Sequence, residues 1–463
     1  MVTPFVVLLA GIALAPLCFS SWWGKHYGKV SLILASIVIG YYWFGLGAEE
    51  RLLQTAEEYF SFICLIGSLF VISGGIHLSV LGEATPGANV LFLLIGTIVA
   101  NFLGTTGASM LLIRPWLRMN KYRLTGHHVV FFIFLVSNVG GCLTPVGDPP
   151  LFLGYLKGVP FWWVAKACWP MWLTGVGLLL LLFYLVDSRN FRRAPQPVRE
   201  RETAHEQWKA QGLGNLGFLA VVLGAVFLRQ PPFLREGLMI AAAAASYLTT
   251  APRVHQANDF SFHPLQEVTI LFAGIFSTML PALDWLQAHA ANFAHPSPGL
   301  FFWGSGALSS VLDNAPTYLS FLSAAIGTSV PPDLANAVLA EIGSSESAGK
   351  MVGSHSAAVA QALTALRTWY PNCLATGTVT REQVEMAILL NNPLSVHCLQ
   401  ALSIGSVFFG ANTYIGNGPN FMVKAIADRQ NAHTPDFVSY LWKFTLPFAL
   451  PMLLVIWFLF FRA

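Results

Sequence analysis

"SNVGGCLTPVGDPPLFLG", residues 137–154, interrupts a run from 127 to 156 that is otherwise apolar enough to span a membrane. Pro145, Pro149 and Pro150 each lack an amide donor and crowd the carbonyl one turn back, so no continuous helix passes through them. Gly140, Gly141 and Gly147 let the chain turn and let other backbone come close. The backbone groups freed by such a break are tolerated at membrane depth only when buried in protein or lining a watery cavity. Freed carbonyls are hard ligands for a small cation, and the two half-helix ends add partial charges around the same point. Asn138, Thr144 and Asp148 supply side-chain oxygens, and Asp148 alone among them can hold a proton. The stretch reads as an ion site built on a broken helix.

The rest of the chain supports a membrane setting. Of its 463 residues 55% are hydrophobic and 10% charged, with a mean hydropathy of +0.60, against about 25% charged in soluble domains. The apolar runs are too long for barrel strands, so the expected fold is an all-α polytopic membrane protein. A net charge of +3 without a large basic block gives no nucleic-acid partner; the partner is the lipid bilayer. The six cysteines show neither CxxC nor zinc spacing, and no HExxH or GxSxG motif suggests an enzyme.

Apolar runs fall at 2–20, 29–46 and 58–80, then a glycine-rich hairpin at 88–116, the broken helix at 127–156, and 168–187. A charged linker, 189–210, separates this first repeat (1–188) from a second (211–463) with the same order. The second repeat has runs at 213–229, 235–250 and 265–283, a hairpin at 298–327, a broken helix at 397–427, and 437–461. A polar insertion rich in Ser, Gly and Ala, 329–396, is expected outside the membrane, with short amphipathic helices around "DLANAVLAEIG" and "SAAVAQALTALRTWY". Arg189, Arg192 and Arg193 place the linker in the cytoplasm, and the odd number of crossings before it, about five, places the N-terminus outside. The second half is then inserted upside down, as inverted-topology repeats.

The two halves align locally. "TPVGDPPLF" (144–152) lies over "TYIGNGPNF" (413–421), setting Asp148 opposite its isostere Asn417. "FLGTTGAS" (102–109) lies over "VLDNAPTY" (311–318), setting Thr105 opposite Asn314. Gly416, Gly418 and Pro419 break the second helix as Gly147, Pro149 and Pro150 break the first. The candidate binding residues are therefore Asn138, Thr144, Asp148, Thr105, Asp313, Asn314, Asn412, Thr413 and Asn417, with Asp148, Asp313, Asn138 and Asn412 as Na+ ligands. Asp313 also reads as a turn cap, and the amides and hydroxyls also read as helix-joining groups. His127 and His128 read as interfacial, His397 as structural, and "SWW", "YYW" and "FWW" as aromatic belts.

The pairing of "SNVGGCLTPVGDPPLFLG" with "LDNAP" and "GANTYIGNGPN" resembles the ion transporter superfamily. Within it the chain looks like NhaD-type sodium/proton antiporters and a related, CitMHS-like branch described as putative citrate transporters. The resemblance covers most of the chain except the insertion. It implies a re-entrant hairpin and an interrupted helix in each inverted repeat, a scaffold that forms a homodimer, elevator movement, and a bacterial inner membrane. It also implies that Asn138, Asp148, Asp313 and Asn314 bind or couple ions. Two features depart from the pattern: Gly104-Thr105-Thr106 stands where the antiporters carry an Asp-Asn pair, and the Ser-Asn-Thr signature of dicarboxylate carriers survives only as Ala411-Asn412-Thr413.

The leading expectation is exchange of Na+ or Li+ for H+, in which cation and proton compete for the same acids and no cofactor is used. Two acids buried side by side repel, and either ion offsets that repulsion. The alternative is uptake of citrate or a related carboxylate coupled to Na+ or H+, its carboxylate oxygens held by amides and half-helix N-termini. A channel or a membrane enzyme is the weaker reading.

Overall fold

The computed structural model describes every residue except 80–83, 194–208, 229, 290–296, 345–356, 431, 433 and 463. The described chain is almost entirely helical, with eight helices long and apolar enough to cross a membrane. The first half runs α1 (Thr3–Cys18), α2 (Ser20–Gly40), α3 (Glu49–Gly74), α4 (Pro86–Met119), α5 (Gly126–Leu135), α6 (Pro149–Leu156) and α7 (Trp163–Arg193). The second runs α8 (Asn215–Ala225), α9 (Leu234–Thr249), α10 (Pro252–Ala257), α11 (His263–His289), α12 (Pro298–Ser309) and α13 (Asn314–Ser329). The insertion follows as α14 (Pro332–Ser344), α15 (Ala357–Trp369), α16 (Pro371–Ala375) and α17 (Arg381–Leu390). The chain closes with α18 (Pro393–Phe408), α19 (Gly418–Arg429) and α20 (Phe437–Phe461). A two-stranded antiparallel ribbon, β1 (His77–Ser79) with β2 (Lys209–Gln211), pairs His77 with Gln211.

Two boundaries differ from the sequence reading. α3 starts at Glu49, nine residues before the apolar run at 58–80, because Glu49 and Glu50 in its first turn complement the helix dipole. α7 continues to Arg193, taking the first residues of the linker; residues 194–208 lie outside the described chain.

α4 is broken at Gly104 and folds back on itself, Thr105 N donating to the Gly147 carbonyl (2.8 Å) rather than to the preceding turn. Gly104 adopts φ +73°, a conformation a side chain would strain, and the helix axis turns there. Asn89 Nδ2 and Asn120 Oδ1 at the two ends are 2.8 Å apart, whereas a straight helix would hold residues 31 positions apart about 46 Å from each other. α12 and α13 make a second hairpin about the turn 310–313, with Phe301 stacked edge-on against Phe321. The two hairpin tips meet the gaps between α5 and α6 and between α18 and α19, where single helical turns (Val139–Leu143 and Phe409–Asn412) interrupt the chain. α5 itself is buried along its whole length, as a helix enclosed by others rather than by lipid must be.

Candidate functional site

The centre of the site is Asp148, fully buried at the N-cap of α6. An N-cap carboxylate ordinarily accepts from its own helix, but Asp148 makes no such bond, and neither does Asn417 at the N-cap of α19. Both side chains turn inward. Asp148 Oδ1 accepts from Thr105 Oγ1 (2.9 Å) and more distantly from Asn417 Nδ2 (3.4 Å), and Oδ2 accepts from Asn314 Nδ2 (2.8 Å). One carboxylate thus draws together both hairpin tips and both helix breaks.

Asn138 joins the halves. Its Nδ2 donates to Asn420 Oδ1 (2.7 Å) and to the carbonyl of Ile133 (2.8 Å), and its Oδ1 accepts from Asn417 Nδ2 (3.2 Å). Thr144 and Thr413 play matching parts. Thr144 Oγ1 donates to the Asn101 carbonyl (2.6 Å) and accepts from Gly147 N (3.0 Å). Thr413 Oγ1 donates to the Ser310 carbonyl (2.6 Å) and accepts from Gly416 N (3.0 Å). The glycines are needed for contact rather than chemistry: a Cβ on Gly147 would stand 2.2 Å from the Gly141 carbonyl oxygen, and one on Gly416 would stand 2.6 Å from that of Gly410. Gly140 is held the same way, its carbonyl accepting from Asn101 Nδ2 (2.7 Å) and Trp172 Nε1 (3.1 Å). Pro145 falls in the turn before α6, Pro149 and Pro150 open α6, and Gly418 and Pro419 open α19.

Asp313 stands apart from this knot. It is only partly buried and caps α13, its Oδ1 accepting from Ala315 N at 3.0 Å. Asn412 also lies beside the knot, donating to Ser310 Oγ (2.9 Å). Two amide oxygens, Asn314 Oδ1 and Asn412 Oδ1, are buried without a hydrogen-bond partner among the described residues. When Asp148 is ionised it only accepts, and Asn314 then gives it the NH2 end. Buried lone oxygens beside a carboxylate are the donor set a small hard cation takes. A cavity of about 20 Å³ between Leu69, Gly104, Thr105 and Gly147 adjoins the knot, room for about one water-sized species.

Asn101, Ser310 and Asn420 complete the framework without having been selected as binding residues from sequence. Asn101 bridges the break, its Oδ1 accepting from Leu143 N (2.9 Å), and Asn420 Nδ2 spans the carbonyls of Gly410 (2.8 Å) and Thr413 (2.9 Å). The sequence signal was a carboxamide in an otherwise apolar helix for Asn101 and one within the second break motif for Asn420; Ser310 gave none.

His127 and His128 are not interfacial but buried, around the fully buried Asp187. Arg123 pairs with Asp187 through both terminal nitrogens, Asn89 Nδ2 donates to it (2.9 Å), and His127 Nε2 and His128 Nε2 lie 3.2 and 3.0 Å from its Oδ1. The trio has the spacing of a metal site. Two contacts do not suit one: Thr125 N donates to His128 Nδ1 (3.3 Å), which leaves the proton on Nε2, and Arg123 already occupies both oxygens of Asp187. These groups form a clasp across the base of the first hairpin.

Buried broken helices, paired hairpins and a carboxylate buried among amides at their meeting point define a multi-pass membrane transporter. Comparison with known sequences gives the same class. The family described as "Putative citrate transport" (CitMHS_2) matches residues 1–461, and the chain belongs to that family. The chain is also similar, at 24% identity over 319 residues, to the uncharacterized transporters MT2759 and Rv2685 of Mycobacterium tuberculosis, covering 62% of this chain and 73% of each relative.

Proposed function

We propose that the protein is a secondary carrier that exchanges Na+ or Li+ for H+ by alternating access, with Asp148 as the group both ions neutralise. The observation that carries this reading is the knot itself: one ionisable carboxylate, fully buried, bonded to Asn314, whose amide oxygen is unpartnered among the described residues, with a second such oxygen on Asn412 beside the knot. Asp148, Asn314 Oδ1 and Asn412 Oδ1 would hold the dehydrated cation, and protonation of Asp148 would release it. A charged, empty carboxylate is costly at this depth, so the knot is expected to reorient only when neutralised by one ion or the other. That condition makes an exchanger rather than a leak.

The matching hydrogen bonds of Thr144 and Thr413, 269 positions apart, to the hairpin carbonyls of Asn101 and Ser310, 209 apart, support reading the halves as inverted repeats. On this reading the hairpins and broken helices move as an elevator against α1–α3 and α9–α11, in a scaffold-mediated homodimer in a bacterial inner membrane with the N-terminus outside.

The second reading is citrate or a related carboxylate taken up with Na+ or H+. The family description favours it, and so do the N-terminal ends of α6, α13 and α19, which all begin at the knot and favour anions. Proteoliposomes with an imposed proton gradient and an internal pH dye test both. Collapse of the gradient by NaCl or LiCl, absent with KCl and lost in Asp148→Asn, is the expected result. Silence with all cations and a response to potassium citrate would overturn exchange in favour of the carboxylate carrier.

A further inference from the structure

The second arm of α4 carries Arg114 and Arg118, four residues apart and so on one helix face. α19 packs against α4 and ends in Arg429. Arg114 is 6% exposed, yet its Nε and Nη1 donate to nothing among the described residues. Its Nη2 lies 3.7 Å from Asp259 Oδ2, beyond hydrogen-bond distance, and the Asp259 side chain is 75% exposed. The charged groups acting on Arg114 are Asp259, Arg118 and Arg429, so cations outnumber anions there.

A second buried arginine gives the contrast at the terminal nitrogens: its Nε is likewise without a partner among the described residues, but both ends of its fork are used. Arg123 is equally buried and places both terminal nitrogens on Asp187, Asn190 and the Ala84 carbonyl. A guanidinium presents its N–H donors in a planar fork suited to two oxygens of one acid, and leaving such donors buried and unused is unfavourable. Arg114 therefore has the form of half a pair.

We infer that Arg114, flanked by Arg118 and Arg429, is a binding site for an oxyanion, a carboxylate or phosphate group, at the end of the bundle where α4 and α19 finish. The site is argued from Arg114 and its surroundings and stands independently of which ion Asp148 binds. Its oxyanion comes either from a small soluble acid or from a phospholipid headgroup. Asp259 acts as the weak internal competitor that a ligand displaces.

The test is thermal unfolding of the purified full-length protein in a phosphate-free glycoside detergent, titrated with potassium citrate or potassium phosphate against KCl at matched ionic strength. The expected result is saturable stabilisation that weakens about tenfold or more in Arg114→Gln, the loss of one charge-assisted hydrogen-bonded pair. Asp259→Asn should tighten binding, since the competing carboxylate is gone. In a second arm, phosphatidylglycerol retained on the wild type and lost from Arg114→Gln in native mass spectrometry, without response to soluble anions, identifies the lipid as the source. Should Arg114→Gln fail to fold, Asp259→Asn decides alone. Tighter binding of citrate, phosphate or phosphatidylglycerol supports the site. Unchanged or absent binding of all three overturns it and leaves Arg114 as the structural partner of Asp259.

Discussion

Replacing Asp148 separates what the knot does for folding from what it does for transport. In Asp148→Leu three buried donors, Thr105 Oγ1, Asn314 Nδ2 and Asn417 Nδ2, lose a shared acceptor. At about 1 to 3 kcal/mol for each stranded donor the cost is roughly 3 to 9 kcal/mol, lessened where Asn417 keeps its bonds to Ser137 and Asn138. Asp148→Asn is different. The new amide keeps one acceptor oxygen for Thr105 and Asn417, and its NH2 meets Asn314, whose own oxygen is unpartnered. A flip of the Asn314 amide turns two facing donors into a donor and an acceptor, so the expected cost is within about 2 kcal/mol, while the negative charge is gone. The assay is paired: thermal unfolding of each purified variant, and dye-reported exchange in proteoliposomes. Asp148→Asn should melt near the wild type and carry no coupled exchange, and Asp148→Leu should melt far lower or not accumulate. Wild-type exchange by Asp148→Asn, or equal destabilisation of the two variants, refutes the reasoning.

Other outcomes follow from the same geometry. Gly147→Ala drives a Cβ to 2.2 Å from the Gly141 carbonyl and should sharply lower the yield of folded protein, whereas Gly224→Ala, with nothing within 4 Å, should be tolerated; equal yields by size-exclusion chromatography would contradict this. Asp313→Asn preserves an N-cap and should change the melting temperature little, with a cost of a few tenths of a kcal/mol. If Asp313 also couples ions, the apparent Na+ affinity shifts, and an unchanged affinity and pH profile would leave it a cap only. Asp187→Ala strips a buried arginine and two buried histidines of their shared acceptor and should cost about 3 to 5 kcal/mol; a wild-type melting temperature would contradict the clasp.

The helix breaks were legible because proline and glycine act locally: Pro149-Pro150 and Gly418-Pro419 stop and restart a helix wherever they are placed. The opposition of Asp148 and Asn417 was legible because the two share a nine-residue frame of matching chemistry. Asn101 was not, since its two roles depend on a segment 39 to 42 positions away that only the folding-back of α4 brings near. His127 and His128 were misread for the same reason: polarity at a helix start suggested an interface, while the partner that buries them, Asp187, lies 60 residues on. The amphipathic pattern read in the insertion falls on α14 and α15, because their apolar stripe is written at helical spacing in the local sequence. That Asp313 makes no hydrogen bond within the knot was not legible either: its carboxylate is taken up by the cap bond to Ala315 N.

If the protein exchanges one Na+ for one H+ at Asp148, the asymmetry between Asp148 and Asn417 sets what the membrane voltage can do. Among the described residues the knot holds one ionisable acid where two equivalent positions exist, one in each half. A carrier that neutralises one negative charge with one Na+ on the way across and with one H+ on the way back moves no net charge per cycle. The work a potential performs is proportional to the charge moved, about 2.3 kcal/mol per elementary charge per 100 mV, and here that charge is zero. Under the exchange reading, the direction of flow is then set by the ratio of the two ion gradients alone, and a collapsed or inverted potential leaves it unchanged.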